Sequence, residues 1–442
     1  MSSRPIGVDL FAGAGGMSLG FEQAGFDVMA AVEIDPVHSA IHKYNFPECA
    51  VLPQSVQDIS GDLIREVSSI SEQKVDVVFG GAPCQGFSLI GQRVLDDPRN
   101  SLVKDFVRIV GELDASYFVF ENVKGLTVGK HKKFLEELIE TFEASGYSVR
   151  QEWRVLNAAS YGVPQDRQRL FLMGAKKGLS VPTYPEALTV QPGKHSDLLN
   201  KMGPTCSDAL DDLPDAETFM ALHKTDETPV VGWKGHSAYA KEMRCEGAKA
   251  WHYSYKRQWN PELLTSSYRT EHSSISRTRY EATEPGSIEP ISRFYKLSPD
   301  GVSNTLRAGT DGARGAFTSP RPIHYKHNRC VTVREMARLH GFPDWFRFNH
   351  TKWHGARQIG NAVPPPLARA VASSVVSAMG IKVTRPKRTL NLGDDALLRM
   401  DMTQASKYWK VPAPLSKRTM KSGAKKRTQA QTEEERLKLL AS

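Results

Sequence analysis

The residues best equipped for chemistry are Cys84, Glu121, Arg167 and Arg169, each set where an apolar stretch ends or begins. Cys84 follows the apolar run 75–81 and the step Ala82-Pro83. A cysteine just past the carboxyl end of a buried strand faces the ligand crevice of an open α/β sheet, where its thiolate could act as a nucleophile. No His or Lys stands in the same motif to lower its pKa, so activation is expected from loop geometry or from the substrate. Glu121 closes the apolar stretch 117–120, which predicts the same sheet edge. A carboxyl with a pKa of about 4 is a poor proton donor at neutral pH, so an acid role requires burial to raise it. Arg167 and Arg169 alternate along a strand predicted over 169–173, and a guanidinium suits a carbonyl together with a carboxylate.

The elements that must carry these groups start at residue 6. Residues 6–11 read as a strand, Ala12-Gly13-Ala14-Gly15-Gly16 as a tight loop, and 17–24 as a short helix stopped by Gly25. The next strand, 26–32, delivers Glu33, where an acid can accept hydrogen bonds from both hydroxyls of a ribose. Ser18 stands where a G-x-G-x-x-G register starting at Gly13 would need its third glycine, which disfavours a dinucleotide. A glycine turn without a pyrophosphate to cradle can admit a small charged nucleoside such as S-adenosylmethionine. Asp35 and Pro36 predict the N-cap and first residue of a helix reaching 46. Asp58 sits where a third strand would end; it could accept an adenine amino proton or be an exposed loop aspartate.

With 442 residues, two or three domains are expected. Five cysteines without C-x-x-C spacing argue against a disulfide framework or a structural zinc, and no metal is expected. The first residues lack the charged and apolar regions of a signal peptide, and no apolar run is long enough for a bilayer, so a cytoplasmic protein without membrane partners is expected. A net charge of +9 and a pI near 9.1 suit a polyanionic partner.

Five segments taken together, 9–16, 81–88, 121–123, 165–169 and 358–363, closely resemble the motifs of the cytosine-C5 DNA methyltransferases in order and spacing. The resemblance implies a Rossmann-like α/β sheet and transfer of a methyl group from S-adenosylmethionine to C5 of a flipped-out cytosine. Cys84 matches the nucleophile that adds to C6, Glu121 the residue at N3, and Arg169 the contact to O2. Phe11, Gly13, Gly15, Gly16, Glu33, Ile34, Asp58, Ile59, Pro83, Leu102, Asn361 and Val363 match cofactor positions. Gln85, Ser88 and Thr305 match positions facing DNA, and residues 87–99 are expected to fold over the extruded base.

Residues 1–180, completed by 357–381, are thus expected to form the catalytic domain, with 364–366 opening a helix that ends at Gly380. Residues 181–356 read as a smaller, loop-rich recognition domain. Within it, 251–259 and 277–280 interleave rings with cations, as phosphate contact and base stacking would require. Thr332 and Glu335 predict a capping box. Residues 382–442 read as a basic, flexible tail, with eight basic residues and no acid between Met402 and Thr432. Double-stranded DNA, a cognate restriction endonuclease, a monomeric state and association with the nucleoid through DNA complete the expectations. A tRNA-directed enzyme of the same fold, or a catalytically silent cofactor-sensing DNA binder, would be the rival readings.

Overall fold

A computed structural model describes residues 4–83, 101–127, 131–193, 201–310 and 319–412. At its centre lie eight strands: β1 (Ile6–Leu10), β2 (Asp27–Val32), β3 (Ala50–Leu52), β4 (Val77–Gly80), β5 (Tyr117–Val123), β6 (Tyr147–Val149), β7 (Arg154–Asn157) and β8 (Gln168–Lys176). They are ordered 3-2-1-4-5-8-6, with β7 paired to β8. β1 to β5 run parallel, and β8 pairs antiparallel with each of its neighbours. The order reverses at β1, between β2 and β4. The crevice outside the carboxyl ends of those strands is therefore the natural ligand position.

β1 and β4 are buried along their whole length, as strands covered on both faces must be. The helices α1 (Gly16–Ala24), α2 (Pro36–Asn45), α3 (Gly61–Val67), α4 (Ser101–Glu112) and α5 (His131–Ala144) supply much of that cover. On one face Ile64, Phe106 and Phe134 pack on Val8, Val78 and Phe120, and the Phe142 ring stacks on Phe118 with centroids 3.7 Å apart. On the other, Phe21 of α1 stacks on Phe79 at 3.6 Å.

Three short ladders follow: β9 (Thr189–Val190) with β10 (Lys201–Met202), β11 (Thr228–Pro229) with β13 (Leu263–Leu264), and β12 (Lys256–Gln258) with β14 (Thr389–Asn391). The helices α6 (Cys206–Leu210), α7 (Ala238–Met243), α8 (Ser274–Ala282), α9 (Val333–His340), α10 (Lys352–Asn361), α11 (Pro365–Met379), α12 (Ala396–Arg399) and α13 (Met402–Trp409) fill the second half. α11 returns to the sheet and lies on α1 so closely that a methyl on Gly20 would collide with Ala368 and with the Arg369 amide. Gly380, at φ 66°, ends it. Thr332 and Glu335 form the capping box of α9.

Three sequence expectations need correction. Residues 181–356 do not keep a core apart: Trp345, Met336, Leu339 and Phe346 belong to one apolar cluster with Leu19, Ala31 and Phe46 of the sheet half. The ring-and-cation segment 251–259 faces away from the crevice. Its Tyr253 amide donates to Gln23, its Tyr255 hydroxyl to Asp27, and its buried Arg257 to both oxygens of Glu22, all near the amino-terminal edge of the sheet. Trp251 stacks on Trp345 in the interior, and in 277–280 Arg277 pairs with Glu217 while Tyr280 is buried. Apolar burial and pairing with the scaffold thus take Trp251, Tyr255, Arg257, Arg277 and Tyr280, while the Tyr253 ring stays exposed. Finally, the tail expected to be flexible is folded as far as 412. β14 pairs with β12, and Leu397 and Leu398 join a cluster with Ala40, Ile41 and Tyr44.

Candidate active site at the carboxyl edge of the sheet

Each strand that ends at the crevice presents one part of the site. Beyond β1 the backbone turns through three left-handed residues, Phe11 (φ 61°), Gly13 (φ 56°) and Gly15 (φ 101°). Glycine suits such angles, whereas Phe11 adopts one at some cost in strain. A side chain at Gly15 would meet the Phe46 ring at 2.5 Å, and one at Gly16 the Val363 carbonyl at 2.5 Å. The turn therefore packs between α2 and the returning segment. α1 starts behind it without a side-chain cap, leaving its first amides to favour a ligand oxygen or negative charge.

Glu33, just past β2, holds this turn in place. Its Oε2 accepts from the Gly13 amide at 2.8 Å and its Oε1 from the Asp35 amide at 2.8 Å. Each oxygen keeps a second lone pair, the acceptor capacity that two ribose hydroxyls require. Burial raises the Glu33 pKa, with His38 opposing and Asp35 adding to the rise. Asp35 caps α2 through the Val37 and His38 amides. Ile34 is 63% exposed beside the acid, as an apolar surface for a flat base would be. Asp58 lies exposed at the end of a short turn, Val56–Asp58, with Ile59 buried behind it. Leu102 is half-buried at the start of α4, and Asn361 is exposed at the end of α10 with Val363 buried after it.

Glu121 lies inside β5 and is 8% exposed. Arg169 of β8 reaches it, Nε to Oε1, at 2.9 Å. Burial raises the Glu121 pKa, while Arg169 and then Arg167 work against the rise. The loop after β4 is fitted onto this carboxylate. A methyl on Gly81 would lie 2.5 Å from Glu121 Oε2, and the Asn122 amide donates to the Ala82 carbonyl at 2.9 Å. Gly81 is thus a glycine of close approach, and Asn122 fixes the chain just before exposed Pro83. Cys84, Gln85, Ser88 and the expected covering loop 87–99 lie outside the described residues.

Arg167, expected beside Arg169 in catalysis, is placed elsewhere. It is fully buried, and its guanidinium donates to the carbonyls of Leu306, Gly360 and Ala362 at 2.8–2.9 Å. With three of its donors engaged inside the protein, it is a strut between the sheet and the segments carrying Thr305 and Asn361. Gln165 reinforces it by accepting from the Leu306 amide and donating to the Leu339 carbonyl. Thr305 itself donates to the Asp166 carbonyl at 2.6 Å.

Sequence reasoning missed a buried polar chain beneath the glycine turn. The Ser18 hydroxyl donates to Asp9 at 2.5 Å and lies 3.0 Å from His42 Nε2. Burial pushes Asp9 up to about 8, despite the Ser18 hydrogen bond, and pushes His42 down to about 3. The residue that looked like a missing glycine is the middle member of this chain. An aspartate inside the otherwise apolar strand 6–10 was the available signal.

The described residues fit a small nucleoside bearing a positive centre: Glu33 oxygens that each accept a single backbone hydrogen bond, and a Gly13 with open space where a side chain would stand. Comparisons with known proteins agree. The family model for C-5 cytosine-specific DNA methylase matches residues 7–377. The chain is 55% identical over 409 residues to the Type II methyltransferase M.XorII of Xanthomonas oryzae pv. oryzae, covering 92% of this chain and 93% of the relative. It is 36% identical to the Type II methyltransferase M1.HphI of Haemophilus parahaemolyticus, with 84% and 86% covered. A crystal structure of a prophage-encoded E. coli protein, named as a DNA modification methyltransferase, matches with a TM-score of 0.66 at 31% identity, covering 85% of this chain and all of that one.

Proposed function

Because the chain belongs to the C-5 cytosine-specific DNA methylase family, and is therefore an S-adenosylmethionine-dependent DNA methyltransferase, we propose that it modifies C5 of a cytosine swung out of a short duplex sequence. On this reading it is a type II enzyme of a restriction-modification system whose partner is a cognate endonuclease. The bound cofactor supplies a methyl group on a positively charged sulfur. Glu33 would hold its ribose, Ile34 and Asp58 with Ile59 its base, and the turn at Gly13, Gly15 and Gly16, with Phe11, Pro83, Leu102, Asn361 and Val363, the remainder.

Cytosine C5 is too weak a nucleophile to take a methyl group unaided. The Cys84 thiolate forms a bond to C6, and the ring becomes an enamine whose C5 is nucleophilic. Glu121 stabilises or protonates N3 as this bond forms. Its raised pKa keeps the proton closer at hand than an exposed carboxyl could. Arg169 steadies that carboxyl and offers its remaining N–H groups to the O2 carbonyl. Once C5 carries the methyl group, a water molecule takes its proton, the electrons of that C–H bond restore the C5–C6 double bond, and the Cys84–C6 bond breaks with its electron pair returning to the thiolate. Gln85, Ser88 and Thr305 would meet the DNA around the extruded nucleotide.

The observation that carries this reading is the fit of Gly81 over the Glu121 carboxylate, with Arg169 at 2.9 Å from the same group. Gly81, three residues ahead of Cys84 in the sequence, lies against the proposed acid, which supports the reading. A duplex with 5-fluorocytosine at the target should trap the wild-type chain covalently, because fluorine cannot leave as the C5 proton does. Cys84→Ala should be neither trapped nor active. Turnover by that variant, or labelled methyl appearing in tRNA and not in DNA, would overturn the proposal.

A further inference from the structure

Residues 382–412 lie beyond the segment matched by the family model, yet they touch the glycine turn, the turn from Glu33 to Pro36 and the lead-in to α10. β14 joins this extension to the second half of the molecule through β12, with Leu390 opposite Arg257. Leu397 and Leu398 of α12 pack in one cluster with Ala14 of the glycine turn and with Ala40, Ile41 and Tyr44 of α2. The Gly393 amide donates to the Tyr44 carbonyl at 2.8 Å, and Tyr44 in turn donates to Asp395 at 3.1 Å. The Leu398 carbonyl accepts from the His350 amide, and the Met400 carbonyl from the Asn349 side chain, just ahead of α10 and Asn361. Last, Trp409 of α13 donates its indole N–H to the Pro36 carbonyl at 3.1 Å, in the turn that begins at Glu33.

We propose that this extension is a positioning element for the cofactor: it clamps the glycine turn, the Glu33–Pro36 turn and the lead-in to α10 in one arrangement, with Trp409 as its anchor. The effect passes through Pro36, which accepts from Trp409, and Ala14, which packs with Leu397 and Leu398. A clamp of this kind lowers the ordering cost that the cofactor would otherwise meet on binding. The inference rests on the reading that Glu33 and the glycine turn hold S-adenosylmethionine.

The test uses the full chain with Trp409→Phe, which keeps an aromatic ring but removes the N–H donor to Pro36 together with the second ring of the indole. Titration with S-adenosylmethionine should show binding weakened about three- to tenfold. KM for the cofactor should rise in step, while kcat at saturation and DNA affinity stay at wild-type values. Unchanged cofactor affinity, or an equal loss in DNA affinity, would overturn the clamp, since a general loosening of the fold would move both. Glu33→Gln serves as the separate control. If it binds the cofactor normally, the location of the site fails, whereas normal binding by Trp409→Phe alone sinks only the clamp.

Discussion

Burial has opposite outcomes for Asp344 and Glu335 in the helical half and for Glu121, Glu33 and Asp9 at the sheet edge. Arg338 in α9 is fully buried and donates to both oxygens of Asp212, both of Asp344 and the Ala209 carbonyl. Burial would raise Asp344, but Arg338 and Arg334 outweigh it and leave its pKa lowered. Glu335 behaves alike: burial is overcome by Arg329, His324 and the Thr332 amide, which bring it down to about 2. At the sheet edge the same burial wins. Glu121, Glu33 and Asp9 all keep raised values. Asp344 and Glu335 are overcompensated and held ionised, while Glu121, Glu33 and Asp9 are undercompensated, the condition in which a carboxyl can change its protonation state.

The sharpest test of that contrast sets one residue from each region side by side. Glu121→Gln should lower kcat by roughly 10²- to 10⁴-fold, the usual contribution of a general acid. Its urea midpoint should equal or exceed that of the wild type, because an undercompensated carboxyl has been removed. Arg338→Met should do the reverse. It strands Asp212 and leaves Asp344 only the more distant Arg334 and Arg244, so about 3–5 kcal/mol of stability should be lost. Methyl transfer per folded molecule should be unchanged. A stable Arg338→Met, or a destabilised Glu121→Gln, would dissolve the distinction.

The same contrast explains what could be read from the sequence. Parts fixed by neighbours in the chain were legible: Asp35 and Pro36 opening α2, Gly25 closing α1, the Thr332–Glu335 box and the helix from Pro365 to Gly380. Each depends on a few adjacent backbone groups. Arg167 and Arg169 could not be told apart, since they share a residue type and a strand. What separates them is the carbonyls of Leu306, Gly360 and Ala362, well over a hundred residues away. The extension was illegible for a related reason. β14 is three residues long among basic side chains, and only pairing with distant β12 makes it a strand. The cation-rich segment 251–259 looked like a nucleic-acid surface because Glu22 and Asp27, which engage it, lie far ahead in sequence.

The two arginines offer the next, smaller test. Arg167→Lys cannot reproduce a planar fork reaching three carbonyls. Because two of those carbonyls flank Asn361, KM for S-adenosylmethionine should rise about tenfold, near 1.4 kcal/mol, with kcat less affected. Arg169→Lys should instead depress kcat and leave cofactor binding intact. If both variants lose kcat equally, Arg167 belongs with the reacting groups after all.

The smallest effect concerns Asp9, whose raised pKa makes it a probe of undercompensated burial away from the reacting atoms. Its folded value is about 8, against an ordinary 3.8. The fold therefore favours the protonated form. That contribution is complete below about pH 4 and is lost as pH rises through about 8. Asp9→Asn keeps an oxygen for the Ser18 hydroxyl but cannot ionise. Urea midpoints measured at pH 5 and pH 8 should show the variant gaining on the wild type as pH rises. A gap that stays constant would mean Asp9 keeps the same charge across that range. A variant that loses ground on the wild type as pH rises would show that the ionised form of Asp9 is the one the fold prefers, placing it with Glu335 among the scaffold ions.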